Sequence, residues 1–128
     1  MTFVPSRELV LKKLESTFPD PVIAEQALRS LDRYNSNKSR RLRDYVHLAI
    51  LKLSEGELWR LRELVREAKH DPRDVLYPAE APEYFKWLRS NPLVYGGPRP
   101  KTLSKAKEAA MQKRDRDQWI AWLSSDET

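Results

Sequence analysis

"RRLRDYVHLAILKLSEGELWRLRELVREAKH", residues 40–70, decides how this chain folds. Leu42, Val46, Ala49, Ile50 and Leu53 recur at three- and four-residue steps, the spacing that places side chains on one face of an α-helix. The stripe stops at Ser54-Glu55-Gly56-Glu57, where Ser54 and Glu57 have the spacing of a capping box. It resumes as Leu58, Leu61, Leu64, Val65 and Ala68. The stretch therefore predicts two antiparallel helices joined by a tight turn, each with an apolar face to bury.

The same punctuation extends in both directions. Ser6 precedes a helical set of Val10, Leu11, Leu14 and Phe18. Asp20-Pro21 is an N-cap followed by proline at the first helical position, where a missing N–H costs nothing. Ala24, Ala27, Leu28, Leu31 and Tyr34 follow, and Asn35-Ser36-Asn37 is the expected end of that helix. Asp71-Pro72 opens a short helical turn through Leu76, and Pro82 opens another through Leu88. No β-type alternation of useful length appears.

The expected fold is all-α: a small array or bundle of four principal helices, plus short helical turns, a connector and a C-terminal helix. The connector is "SNPLVYGGPRPKT", residues 90–102, with three prolines and a glycine pair. The last helix, Ser104 to Leu123, is polar for three turns and ends in "WIAWL". This organisation divides the chain into a helical body (1–88), a connector (89–103) and a C-terminal helix and tail (104–128). There is no internal repeat.

At 128 residues the chain is long enough for one modest core. Charged residues make up 34% and apolar residues 40%, the balance of a well-solvated helical protein. The absence of cysteine excludes disulfides, thiol nucleophiles and sulfur-ligated zinc, and fits a reducing cytoplasm. The N-terminal stretch lacks the continuous apolar run of a signal peptide, and no segment has the roughly 18 apolar residues of a membrane span. A net charge of +5 and a pI near 9.6 favour acidic partners.

The stretch Leu48 to Glu80 resembles a class of short all-helical proteins of bacteria that have no assigned activity. The likeness lies in "LAILKLSEG", in the spacing of Leu61, Val65 and Ala68, and in "RDVL" from Arg73 to Leu76. It implies a bacterial helical domain and carries over no site residues.

Catalytic constellations are missing. His47 and His70 each follow a carboxylate by three residues, as in di-metal helical bundles. In an antiparallel hairpin, however, His47 lies opposite Arg60, and His70 is ten residues, or ~15 Å, further along. Both read as surface or flank histidines. The serines occupy caps and turns, and no Gly-x-Ser-x-Gly elbow occurs. Gly96-Gly97 is followed by proline and no helix, which is wrong for a phosphate loop. No enzyme activity, cofactor, metal or small-molecule ligand is expected.

Basic residues cluster at two places. Lys38, Arg40, Arg41 and Arg43 crowd the start of the third helix, where the helix dipole disfavours cations. Arg99, Lys101, Lys105 and Lys107 form a C-terminal arm. Arg40 lies level with Glu67 across the hairpin and has an internal partner there; Arg41 has none. The fourth helix carries as many glutamates as cations, which argues against its docking as a DNA-reading helix.

Trp59 lies about 160° from Leu61 on the helical wheel, opposite the core stripe. Such a ring is covered either by the chain's own plug, Trp119, Ile120, Trp122 and Leu123, or by another chain. The connector is long enough for the plug to fold back. Together these features point to a non-catalytic binding module acting through protein contacts, with self-association as one form. The alternative is a nucleic-acid-binding protein using the start of the third helix and the arm.

Overall fold

A computed structural model describes residues 6–35, 39–90 and 104–125. Among the described residues there are seven helices and no strand: α1 (Arg7–Thr17), α2 (Pro21–Leu31), α3 (Arg40–Ser54), α4 (Leu58–His70), α5 (Arg73–Glu80), α6 (Pro82–Ser90) and α7 (Lys105–Ser124). The all-α expectation holds. The first two residues of the expected connector, 89 and 90, belong to α6; the rest of it, with the glycine pair, lies outside the described residues.

Compact packing divides the chain between Ala79 and Glu80, and groups α6 with α7. In the first unit, α1 packs on α2 and α3, and α4 packs on α3 and α2, closing a ring of four helices. Val10, Leu14, Phe18, Ala27, Leu31, Val46, Ile50, Leu61 and Val65 fill its interior. Each of these side chains except that of Ala27 contributes about 1.5–3 kcal/mol relative to full exposure. Val75 and Ala79 of α5 are also fully buried.

The helix starts follow local chemistry. Ser6 Oγ accepts from the Leu9 N–H at 3.2 Å, Asp20 Oδ1 from Val22 at 2.9 Å, and Ser39 Oγ from Leu42 at 3.2 Å. Each satisfies an N–H that has no partner inside its helix. The end of α2 comes earlier than expected. It stops at Leu31, and the turn continues with Arg33 N–H to Ser30 O and Tyr34 N–H to Leu31 O, i→i+3 bonds that tighten the chain. Tyr34 is still buried, so its place in the apolar stripe was read correctly although it is not helical.

The turn between α3 and α4 differs from a capping box. Ser54 belongs to α3, is fully buried, and donates its hydroxyl back to the Leu51 carbonyl at 2.8 Å. Glu57 takes the N-cap position of α4 without a side-chain cap. The chain reverses instead through two left-handed residues, Glu55 (φ 51°) and Gly56 (φ 79°). Arg60 Nε donates to the Leu53 carbonyl at 2.9 Å, placing a cation at the negative end of α3.

The centre of α3 is more enclosed than one stripe implies. His47, Leu48, Ala49, Ile50 and Leu51 are consecutive and all buried, because α3 packs on both α1 and α4. Leu53 is only half-buried. Leu11 is likewise 38% exposed, outside the α1 core set. Helix α5 runs through Pro78 instead of ending at Leu76, at the cost of one internal hydrogen bond.

In the second unit α6 packs on α7. Asp115 of α7 is 2% exposed, and its two carboxylate oxygens accept from the Glu83 and Tyr84 N–H groups at 3.0 and 3.1 Å. A side chain 31 residues away thus does the capping for α6. Arg114 and Glu83 add an exposed ion pair at 2.8 Å.

Candidate functional site

Trp59 stands on α4 with 59% of its surface exposed. The core residues of that helix, Leu61, Leu64, Val65 and Ala68, are buried on the other side. Among the described residues the ring is therefore largely uncovered, and the C-terminal plug belongs to the other packing unit. The plug residues are themselves enclosed to different degrees. Trp119 and Leu123 are 6% and 5% exposed, while Ile120 and Trp122 are half-buried. Trp119 and Trp122 stack with ring centroids 5.6 Å apart. Of the five candidate interface residues, Trp59 is the most accessible.

Exposed apolar surface also occurs on α1 and α2. Leu11, Pro21, Ala24 and Leu28, with Glu15 and Glu25 and with the buried Leu14 and Phe18, line an open groove of about 530 Å³. Val22 and Ile23 of α2 are 65% and 39% exposed.

The basic candidates are dispersed. Arg40 and Arg41 are exposed at the start of α3, where the Ser39 cap offsets the unfavourable placement of cations. The expected pair between Arg40 and Glu67 does not form: among the described residues Arg40 has no ion pair, since exposed partners gain only ~0–1 kcal/mol. Arg43 is engaged internally, its guanidinium 3.2 Å from the buried carboxylate of Asp44. Lys105 and Lys107 are exposed on α7. Lys38, Arg99 and Lys101 lie outside the described residues.

A basic concavity that the sequence reading overlooked lies between α2 and α4. Ser30, Arg33, Arg62, Val65, Arg66 and Lys69 line a cleft of about 210 Å³. Four of the six are cations and none is a carboxylate. At 100° per residue, Arg62, Arg66 and Lys69 fall within about 60° of one another on α4, whereas Glu63 and Glu67 centre roughly 110° further round. The balanced total charge of this helix conceals two faces of opposite sign. The signal was the i, i+4, i+7 spacing of the cations.

His47 is not a surface or flank residue: it is fully buried. Its Nε2 lies 3.0 Å from the Tyr34 carbonyl oxygen, which only accepts, so Nε2 carries the proton. Nδ1 has no hydrogen-bond partner. Burial lowers the imidazole pKa. The Tyr34 carbonyl raises it, Arg7 and Arg43 lower it, and Asp32 raises it, but burial is the largest influence. The residue ties the segment after α2 to α3. Among the described residues no cluster of histidine and carboxylate side chains is arranged to hold a metal ion. No helix among them is long and apolar enough to cross a membrane.

Comparison with known proteins gives no match: no family profile, no curated protein and no solved structure resembles this chain.

Proposed function

We propose that the protein is a non-catalytic helical binding module acting through protein–protein contacts, with Trp59 as the anchor. The observation that carries this reading is the 59% exposure of an indole ring on a helix whose other face already fills the core. Tryptophan is enriched among residues that dominate binding energy, because it buries a large area with little conformational entropy. The open groove between α1 and α2 supports the same reading. The partner is a second copy of this chain or a different protein. The cysteine-free sequence fits a reducing cytoplasm, and a bacterial setting is what the resemblance of Leu48 to Glu80 implies.

Sedimentation of the fluorescently labelled full chain, in buffer and in an extract of its own cells, tests this. A heavier species is expected in one or both, and Trp59→Ser abolishes it. A heavier species that survives the substitution, or none in either medium, contradicts the proposal.

A second reading is nucleic-acid binding through the start of α3. It keeps Arg40 and Arg41, both exposed and without an ion pair among the described residues. Arg43 drops out because Asp44 holds it.

A further inference from the structure

We infer that the cleft between α2 and α4 binds the phosphodiester backbone of a nucleic acid. The inference shares only its ligand class with the second reading above; the site is different.

The cleft concentrates positive charge that no ion pair neutralises among the described residues. Arg33, Arg66 and Lys69 have no hydrogen-bond or ion-pair partner for their side chains among the described residues. Arg62 leans on Ser30 through one long bond, Nε to Oγ at 3.4 Å, which leaves its terminal amino groups open. By contrast, Arg7, Arg29, Arg43, Arg73 and Arg114 each sit against a carboxylate. The chain pairs many of its arginines and leaves these free where they converge. Assembling like charges costs free energy, and an anion drawn into the cleft offsets that cost.

The shape of the site selects the kind of anion. Arg62, Arg66 and Lys69 form a row along α4 that spans ~10 Å at 1.5 Å per residue. Successive backbone phosphates can occupy such a row with the side chains extended, whereas a single phosphate engages all three cations only if they bend to one point. Guanidinium forks suit phosphate oxygens geometrically, and the Ser30 hydroxyl at the rim of the row adds a donor. No aromatic side chain lines the cleft, so it offers no stacking surface for a base and no enclosed nucleotide pocket. The contacts are therefore to backbone and carry no sequence preference.

The test uses the full chain and fluorescence anisotropy with a 20-nucleotide oligothymidylate, a 20-base-pair duplex of mixed sequence, and polyglutamate of matched charge. Arg66→Gln/Lys69→Gln removes two cations that hold nothing in the fold. Arg40→Gln/Arg41→Gln removes the same charge elsewhere. The cleft pair is expected to weaken binding of at least one nucleic acid by about tenfold at 50 mM salt. It also makes the slope of log affinity against log salt shallower, by about 1.4 for the single strand or 1.8 for the duplex. The α3 pair is expected to change affinity less than about threefold. Whichever nucleic acid responds identifies the strand form. Four results overturn the inference: no binding to either nucleic acid at 50 mM salt, equal losses from both pairs, a loss confined to the α3 pair, or polyglutamate binding as tightly as the oligonucleotides. Equal losses would show general charge attraction, and a loss confined to the α3 pair would leave the second reading standing alone.

Discussion

At the scale of single residues, His47 shows how burial turns a titratable group into a stability term. Its folded pKa is lowered, chiefly by burial, below the ordinary value near 6.5. The unfolded chain then binds more protons than the native one once the pH falls through that ordinary value. Its stabilising contribution is complete above about pH 6.5 and is lost progressively as the pH drops towards the folded value. Thermal midpoints measured between pH 7 and pH 5 should fall for the native sequence. In His47→Gln, which keeps a donor for the Tyr34 carbonyl, the decline should be shallower. A parallel decline in both proteins would place the proton uptake elsewhere. The position of His47 was not legible from sequence. Its helical neighbours on that side are Asp44, Leu48 and Leu51, and two polar residues among four concealed a buried face.

At the scale of elements, α3 carries two apolar faces nearly opposite one another. Val46, Ala49, Ile50 and Leu53 form the obvious one; His47, Leu48 and Leu51 form the other. Leu48→Ala, at a site 1% exposed, is expected to cost ~2–5 kcal/mol, whereas half-buried Leu53→Ala should cost clearly less. Chemical denaturation compares them, and a larger loss at Leu53 would contradict the packing described for α3. The turn that follows gives a sharper test. A Cβ on Gly56 would meet the Thr17 carbonyl oxygen at 3.2 Å, at a backbone φ of +79°. Gly56→Ala should therefore destabilise the chain by about 1–2 kcal/mol. Glu55→Gly, at the adjacent left-handed residue, should be neutral or stabilising. Equal losses at the two positions would refute a turn made by paired left-handed residues. Helix starts were legible because Ser6 and Asp20-Pro21 act on their own neighbours. The cap of α6 was not, since its acceptor is Asp115, far along the chain.

At the scale of the whole molecule, the sequence revealed the class of fold and, from its angle to Leu61, the exposure of Trp59. It concealed the basic cleft, because Arg33 after α2 and the cations of α4 come together only through packing, and because counting charges along α4 cancels what the wheel separates. It also left the fate of the plug open, and Trp119 and Leu123 turn out to be buried within the chain. Among its described residues the first unit carries an exposed indole, an open groove and a cleft whose cations form no ion pair. The proposed role of Trp59 is contact with another protein. Site-specific photocrosslinking in the cells that make it tests this most directly, with a photoreactive residue at position 59 and, in a parallel strain, at exposed Arg116 of α7. A discrete protein adduct from position 59 that is absent from position 116 is the predicted result; no adduct from 59, or the same adducts from both positions, would contradict it.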